Sequence, residues 1–250
     1  MRMGEKQVLK KLNLDPLAIT KKILKKGRLL ESKVRRKFGL IDHQIVKKYQ
    51  NRTDIRKLHI GCGDNILEGW LNSDYCPRST AILHLDATQP FPPGINEFDY
   101  VFSEHMIEHI SYSQGLVMLK ECYRVLKDNG TIRISTPDFL FLINLYQDIN
   151  CDLHKKYIKW ATDYYIGDAP YYDAIFVINN FLRDWGHKFI YDEKTLRLSL
   201  EKAGFTRITK CALNQSEDDS LRNLENEKLM PEGFLRLETI TLEGRKFANN

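Results

Sequence analysis

Short apolar runs that end near Gly, Asp or Pro alternate with stretches of helical apolar spacing from about residue 57 onward. Five of these runs are predicted as strands, at 58–61, 70–74, 82–86, 100–103 and 131–135. Strands that alternate with helices are typical of consecutive β-α units. The pattern therefore predicts an α/β fold built on a mostly parallel sheet.

The second half of the chain carries clear helix signals and weaker strand signals. A crossover helix is predicted from the spacing of Leu116, Leu119, Tyr123 and Leu126, with a stop signal at 128–130. Another helix is expected over 192–203, where Asp192 is a plausible cap and Gly204 follows the end. Alternation predicts late strands at 206–213 and 237–242, and the polar segment 216–227 reads as a mobile loop.

The N-terminal 56 residues are predicted to be an appended, basic, helical arm. Residues 1–57 contain 18 Lys and Arg against 5 Asp and Glu, whereas residues 58–250 contain 20 against 28. Cations crowd two helical turns at Lys21, Lys22, Lys25, Lys26 and Arg28. Such a segment attracts polyanions such as nucleic acid or anionic lipid. The alternative is a solvated face that packs against the acidic remainder of the same chain.

Composition narrows the class of protein. With 250 residues, 42% of them hydrophobic, the chain can bury one sizeable core, which excludes wholesale disorder. No apolar run approaches the length of a membrane span, and the N-terminus lacks the pattern of a secretory signal. Five scattered cysteines form no Cys-x-x-Cys pair. We therefore expect a cytoplasmic protein, peripheral to the inner membrane face if the arm binds lipid.

Candidate ligand-binding residues begin after the first predicted strand, at Gly61, Cys62 and Gly63. Glycines there let the backbone turn sharply and approach a ligand closely. Ile66 stands where a dinucleotide fingerprint would place its third glycine, so a pyrophosphate site is disfavoured. The next two strands end in Asp74 and Asp86, at the sheet edge where ligands bind in doubly wound folds. Ordinary turn chemistry is the alternative for both carboxylates.

Several motifs in a fixed order resemble class I S-adenosylmethionine-dependent methyltransferases. They are the Leu-His-Ile-Gly-Cys-Gly turn and the segments 69–74, 98–101, 124–130 and 203–205. The resemblance extends over about 57–242 and is closest to small bacterial members encoded with surface-glycan pathways. It implies a Rossmann-like, doubly wound, seven-stranded sheet, mostly parallel with an antiparallel last strand. A methyltransferase domain over 57–250 is expected.

The same resemblance implies roles for the candidate residues. Gly61, Cys62 and Gly63 would pack against the methionine part of S-adenosylmethionine, and Asp74 would hold the ribose. Asp86 and Ala87 would meet the adenine, and the segment that starts at Ser103 would border the sulfonium. Only ten residues separate Gly63 from Asp74, so the first crossover helix is expected to be a turn or two at most.

A second group of candidates is His105, Glu108 and His109, with His187 far along the chain. A helix that starts near Ser103 would place the first three on one face. Together the four could bind a divalent metal. They resemble the ligand set of metal-dependent small-RNA and ubiquinone-biosynthesis methyltransferases, with His105 in place of a Glu, which favours zinc, manganese or iron over magnesium. The alternative is a site without metal, in which His105 or His187 is the general base.

The acceptor pocket is expected in a helical insertion at 138–190 that is rich in aromatic residues. These rings could stack on sugar faces, or they could form the core of the insertion. Tyr171 and Tyr172, in a predicted loop, are the favoured substrate contacts. The sequence thus predicts an O-methyltransferase for a sugar or phosphorylated precursor of a surface polysaccharide. The rivals are an RNA methyltransferase, whose arm would grip phosphates, and a cofactor-binding partner subunit without turnover.

Overall fold

One seven-stranded sheet organises the part of the chain that the computed structural model describes, which is residues 39–92, 94–148 and 150–247. The strands are β1 (Lys57–Ile60), β2 (Leu71–Asp74), β3 (Leu83–His84), β4 (Phe98–Glu104), β5 (Leu126–Pro137), β6 (Thr206–Cys211) and β7 (Thr239–Arg245). Their spatial order is β3-β2-β1-β4-β5-β7-β6. In this sheet of the described residues, β7 alone runs opposite in direction to the other six strands. The predicted fold class is confirmed.

The order of the strands fixes where a ligand can bind. The chain places β2 and β3 on one side of β1 and then returns to place β4 on its other side. In open α/β sheets a crevice forms at such a reversal, outside the carboxyl ends of the strands. Ile60, the last residue of β1, pairs with Ser103 of β4 at that point. The predicted glycine turn and the segment after Ser103 therefore flank the crevice.

The helices are α1 (Gly39–Gln50), α2 (Tyr112–Val125), α3 (Phe139–Gln147), α4 (Asp152–Tyr165), α5 (Ala174–Arg183), α6 (Glu193–Ala203) and α7 (Phe234–Glu238). Both predicted helices are present. Helix α2 starts with a capping box between Ser111 and Gln114. Helix α6 has Asp192 as its N-cap and ends at Gly204 in a left-handed conformation.

The predicted stop signal at 128–130 is wrong, because α2 already ends at Val125 and β5 runs through these residues. Two contacts extend the strand. Leu126 pairs with Phe98 of β4, and the backbone of Asn129 and Gly130 bonds to that of Lys246. Pairing on both sides thus outweighs the local turn preference of Asp128 and Asn129.

The two faces of the sheet differ in polarity. One face of the sheet is buried in the main apolar core under α2 and α6. Its residues include Leu58 of β1, Val101 of β4 and Ile132 of β5. On the opposite face, Arg133 of β5 is completely buried. That face is covered by the connection between β6 and β7, from which Leu221 contributes to a small apolar cluster.

The connection between β1 and β2 contains no helix, so even the expected turn or two is absent. The polar segment predicted as a mobile loop, 216–227, lies on the sheet face described above. Its Glu225 is buried in an ion pair of 2.7 Å with Arg133. Asn65, from the short β1–β2 connection, donates to the Leu224 carbonyl at 3.0 Å. The loop is therefore anchored to the sheet by charge and hydrogen bonds.

The insertion at 138–190 contains α3, α4 and α5 and has an apolar cluster of its own. Phe141, Tyr157 and Phe181 are among its buried members. For these rings the interpretation as the core of the insertion is correct.

Most of the predicted arm, residues 1–38 with its lysine cluster, lies outside the described residues. Helix α1, the part that is described, packs at the β3 edge of the sheet. Val46 joins the main core, and the Tyr49 hydroxyl donates to the Lys57 carbonyl at 3.0 Å. Among the described helices, none combines the length and apolar character that crossing a bilayer requires.

Candidate active site

A cavity of about 470 Å³ lies at the carboxyl ends of β1, β2 and β3. Its lining includes five of the residues predicted from the sequence: Gly61, Asp74, Asp86, Ala87 and His109. Sequence reasoning missed several others, namely Tyr75, Thr88, Met106, Ile110, Gln114 and Lys188. These six belong to ordinary residue types without a motif, so only the fold brings them together.

Gly61 forms the floor of this cavity in a conformation that favours glycine. Its φ is +71°, and a Cβ built on it would lie 2.8 Å from Met106 Cβ and closer still to Met106 Cγ. The position therefore excludes a side chain for two reasons, backbone conformation and space. Gly63 also has a positive φ, +51°, but a Cβ there would meet open space.

Asp74 ends β2 and holds the turns on both sides of itself. Its Oδ2 accepts a hydrogen bond from the Gly63 N–H at 3.0 Å, and its Oδ1 accepts one from the Cys76 N–H at 2.7 Å. The carboxylate lines the cavity despite the short β1–β2 connection. Asp74 therefore has the hydrogen bonds of a turn residue and also lines the cavity, and its contact with a ribose stays a prediction.

Asp86 shows the same combination. Its Oδ1 accepts from the Thr88 N–H at 3.0 Å and from the Thr88 hydroxyl at 2.6 Å. This turn shapes the cavity wall at Ala87, which is buried.

Cys62 and Ser103 do not line this cavity. The Cys62 thiol is buried, and burial raises its pKa to about 12, which favours the protonated thiol. Ser103 is also buried, and its hydroxyl oxygen has no hydrogen-bond partner. Such an orphaned hydroxyl is unusual in a folded protein.

The helix expected from Ser103 is absent, since Ser103 and Glu104 belong to β4. The pairing of Glu104 with Ser135 prolongs the strand, and the His105 N–H then donates to the Ser135 carbonyl at 2.9 Å. His105 turns the chain with a φ of +45°, and a short 3-10 helix follows at Ile107–His109. The predicted helical face is therefore wrong.

Three of the four predicted metal ligands nevertheless meet. One ligand atom each from Glu108, His109 and His187 can be chosen so that all lie within 4.8 Å of one another. The His187 ring is fixed by a 2.6 Å hydrogen bond between Nδ1 and the Phe181 carbonyl. His105 stands beside this group: its Nε2 is bonded to the Thr239 hydroxyl at 2.8 Å, and its Nδ1 lies 3.7 Å from Glu108 Oε1.

Burial controls the charge of this group. Desolvation, with help from neighbouring imidazoles, lowers the pKa of His105 to about 3 and that of His187 to about 4. Desolvation also raises the pKa of Glu108 to about 8. Glu108 Oε2 accepts from the Thr136 hydroxyl at 3.0 Å, but Oε1 is buried without a hydrogen-bond partner. At neutral pH the lowered pKa values favour the uncharged form of both imidazoles, and an uncharged imidazole has one ring nitrogen that accepts a hydrogen bond or a proton.

A second cavity, of about 250 Å³, lies on the other side of the histidines. The predicted insertion supplies much of its wall, including Trp160, Tyr165, Phe181, Trp185 and His187. His105, Pro137, Leu229, Met230 and Glu238 complete the lining. Tyr171 and Tyr172, the favoured substrate contacts, do not line it. The Tyr172 hydroxyl donates to Asp163 at the surface.

Glu238 was not singled out by the sequence. It ends α7, directly before β7, and carries no motif. Its carboxylate is almost completely buried, and burial raises its pKa to about 7. Only the register of β7 against β5, in which Thr239 pairs with Pro137, places it beside His105.

Comparison with known proteins adds the enzyme class. Residues 58–134 match the family model described as a methyltransferase domain. No curated protein matches the sequence. The chain is similar to solved structures at low identity. One is a SAM-dependent methyltransferase from Archaeoglobus fulgidus, with 17% identity, a TM-score of 0.43, and 83% of this chain and 94% of that chain covered.

Another is a SAM-dependent methyltransferase of Thermotoga maritima, described as a possible histamine N-methyltransferase, with 16% identity and a TM-score of 0.41. Its alignment covers 86% of this chain and 95% of that chain. A third is an S-adenosylmethionine-dependent methyltransferase from Mesorhizobium loti, with 15% identity, a TM-score of 0.45, and coverage of 77% and 91%. The domain match over residues 58–134 and the seven-stranded sheet agree on a methyltransferase domain.

Proposed function

We propose that the protein O-methylates a small acceptor, a sugar or phosphorylated precursor of a surface polysaccharide. The observation that carries this proposal is the arrangement of the two cavities. His109 lines the larger cavity and His187 the smaller one, and their ring centroids are 4.9 Å apart. A donor on one side and an acceptor on the other would meet at these imidazoles. Polysaccharide biosynthesis rests on the family resemblance alone.

The larger cavity fits the cofactor. Gly61 turns the backbone sharply at its floor, where Met106 packs too closely for a Cβ, and Asp74 and Asp86 line it. We assign the ribose to Asp74, the adenine to the wall at Asp86 and Ala87, and the methionine part to the turn at Gly61. When bound, S-adenosylmethionine supplies a methyl group that is already electrophilic, because its sulfur carries a positive charge.

The work left to the chain is to align the acceptor and to take up a proton from its hydroxyl. Alignment dominates, because a fixed geometry removes much of the entropic barrier. His187 and His105 line the acceptor cavity and are neutral, so each can accept a proton. General base catalysis is typically worth about 10²- to 10⁴-fold in rate. Because burial lowers both imidazole pKa values, we expect the smaller end of that range.

A divalent metal at Glu108, His109 and His187 is the second candidate for this site. Two observations support it: the mutual distances of the ligand atoms and the partnerless oxygen of Glu108. A carboxylate with two imidazoles is a ligand set that zinc, manganese and iron accept. His105 does not belong to this group of three residues, whose ligand atoms all lie within 4.8 Å of one another. We therefore propose three protein ligands rather than the four predicted.

We propose further that the basic N-terminal segment attracts an anionic surface. Its support is the charge of residues 1–57 alone, 18 Lys and Arg against 5 Asp and Glu.

The proposal is tested by incubating the purified protein with S-adenosylmethionine and a panel of sugar nucleotides and glycan intermediates. Mass spectrometry should detect the gain of one methyl group in an acceptor. His187→Ala should lower the rate about 10- to 100-fold while leaving the affinity for S-adenosylhomocysteine, measured by calorimetry, unchanged. His154→Ala is the matched control, since that histidine is bonded to the Asp148 carbonyl and lines neither cavity. Full activity of the His187 variant would remove the histidine from the mechanism.

The metal is tested separately by elemental analysis of protein purified without chelator and by turnover after chelation. We expect about one zinc, manganese or iron ion per chain in the wild type and none in Glu108→Ala. Metal-free protein that keeps its full turnover would contradict this second candidate.

A further inference from the structure

The rings of the smaller cavity form the walls of a box. Trp160 and Tyr165 are 5.4 Å apart at an angle of 89°, and Tyr165 and Trp185 are 4.9 Å apart at 71°. The Trp185 ring in turn meets His187 at 84°. Successive rings are thus close to perpendicular and present faces or edges to a shared space.

One wall of this box carries a buried acid. Glu238 lines the cavity, and its Oε2 accepts a hydrogen bond from the Tyr157 hydroxyl. Its Oε1 lies 3.9 Å from His105 Nδ1. No Lys or Arg belongs to the lining within the described residues. The carboxylate therefore has no permanently charged cation beside it in the cavity.

Aromatic faces and a carboxylate around one small space select for a particular ligand chemistry. The faces of Trp and Tyr attract cations through their negative quadrupole, and the attraction strengthens when the cation is desolvated. Burial raises the pKa of Glu238 to about 7, and a cation in the same space would favour its ionised form, whereas a phosphate or carboxylate would disfavour it. At about 250 Å³ the cavity is below the usual range for drug-sized ligands, so it suits a head group.

We propose that this box binds an alkylammonium group of the acceptor, with Glu238 as the residue that determines the preference for positive charge. The inference deepens the proposed function, because it takes the smaller cavity as the acceptor site. It identifies the acceptor as an amine-bearing molecule, such as an amino sugar. Any phosphorylated part of that molecule lies outside the box.

The test compares two probes of the same shape that differ in charge. Choline carries a trimethylammonium group, and 3,3-dimethyl-1-butanol carries a neutral tert-butyl group in its place. Binding to the full-length protein is measured in the presence of EDTA and S-adenosylhomocysteine, by ligand-observed NMR. We expect choline to bind at least tenfold more tightly than the neutral probe. Inorganic phosphate should not displace it.

Two variants assign the effect to the box. Glu238→Gln keeps an acceptor for the Tyr157 hydroxyl but removes the charge, so the ratio of the two affinities should fall toward one. Trp185→Leu should weaken choline binding at least fivefold. The matched controls are Glu232→Gln and Tyr146→Leu, since both residues are exposed and neither lines the cavity. The controls should bind choline like the wild type.

Equal affinity for the two probes, no measurable binding of choline, or tighter binding of phosphate would each overturn the inference. Calorimetry with S-adenosylhomocysteine verifies that each variant is folded. The assay needs no turnover, so its result is independent of whether a methylated product is found. Choline selectivity without any methyl transfer would leave the cation site intact and would contradict the proposed function.

Discussion

At the scale of single residues, Gly61 makes the sharpest demand on the sequence. Its φ of +71° and its contact with Met106 act independently, so they can be separated by substitution. Gly63 shares the positive φ but has open space around it. The two glycines of one turn can therefore be compared directly. A side chain at Gly63 would meet backbone strain alone, and a side chain at Gly61 would meet the same strain and a steric clash.

We predict that Gly61→Ala weakens binding of S-adenosylhomocysteine at least tenfold and lowers the melting temperature. Gly63→Ala should show a smaller effect, because only backbone strain opposes it. Combining Gly61→Ala with Met106→Ala removes the clash and should recover part of the melting temperature. Calorimetry and thermal unfolding provide the two measurements. Identical losses in both single variants would show that the space beside Met106 is irrelevant.

Glu104 is a residue whose protonation is linked to folding. Its Oε1 accepts from the Asn226 N–H at 2.8 Å and its Oε2 from the Asn65 side chain at 3.0 Å. Burial nonetheless raises its pKa to about 7, well above the ordinary value of 4.5 for a glutamate side chain. The folded state therefore holds this proton more tightly than the unfolded state does. The stabilisation is complete below about pH 4.5 and is lost as the pH rises through 7.

We predict that the free energy of unfolding of the wild type, relative to Glu104→Gln, decreases between pH 5 and pH 8. The variant cannot titrate at this position, so the difference isolates one carboxyl group from the histidines, whose lowered pKa values act in the opposite direction. Urea unfolding at several pH values measures it. Glu232→Gln, at an exposed site, should give a curve parallel to that of the wild type. A parallel curve for Glu104→Gln would contradict the linkage.

At the scale of elements, the sequence predicts what depends on local pattern. The strands at 58–61, 70–74 and 100–103 and helix α6 follow from apolar spacing and caps, and all are present with small shifts. Elements decided by pairing with distant segments were missed. The extension of β4 to Glu104 and the early start of β5 both depend on hydrogen bonds to neighbouring strands. Those bonds also moved His105 off the predicted helical face.

The anchored connection between β6 and β7 is the clearest case of a non-local element. The polar sequence of this connection predicts that it is exposed to solvent. In the structure it packs instead against Arg133, a residue in the middle of the sheet. The guanidinium is completely buried and contacts Glu225 at 2.7 Å and Glu243 at 2.6 Å. Nothing near Glu225 in the sequence reveals this partner, which lies 92 residues away.

We predict that Arg133→Met destabilises the protein by about 3 to 5 kcal/mol, because it leaves two carboxylates without their buried cation. Arg124→Met is the control at the surface, where the Glu121 pair is partly solvated, and it should change stability by less than about 1 kcal/mol. Chemical denaturation measures both. A loss of similar size in the two variants would mean that the ion pair does not hold the connection on the sheet.

At the scale of the whole molecule, the cavities assigned to the two substrates lie on different sides of the point where the strand order reverses. The strands on the β1-β2-β3 side supply the cavity assigned to the cofactor, and the insertion and β7 supply the box assigned to the acceptor. The residues between Ser103 and His109 lie where the two halves meet. The family resemblance singles out residues that line the first half, because glycines and strand-end acids carry it, and their roles toward the cofactor stay a prediction. The resemblance makes no prediction about the second half, where Glu238 belongs to a segment with no motif.

The basic N-terminal segment can be separated from the rest of the chain by a deletion that ends just before helix α1. Residues 1–38 contain 13 Lys and Arg against 3 Asp and Glu, whereas helix α1 after them contributes Val46 to the main core. If the basic segment serves an anionic surface, its removal should affect binding to that surface and leave the fold intact. If it covers the acidic domain, its removal should lower stability.

We therefore predict that a chain lacking residues 1–38 loses most of its binding to vesicles that contain phosphatidylserine, while its melting temperature and its affinity for S-adenosylhomocysteine are unchanged. Binding of the full chain should weaken steeply with added salt, because the attraction is between opposite charges at a surface. A chain lacking residues 1–52 should melt at a lower temperature, since it also loses the core contact of Val46 and the Tyr49 hydrogen bond to Lys57. Vesicle sedimentation and thermal unfolding separate the two effects. A lower melting temperature in the shorter deletion, without a change in vesicle binding, would show that the segment packs on its own domain instead.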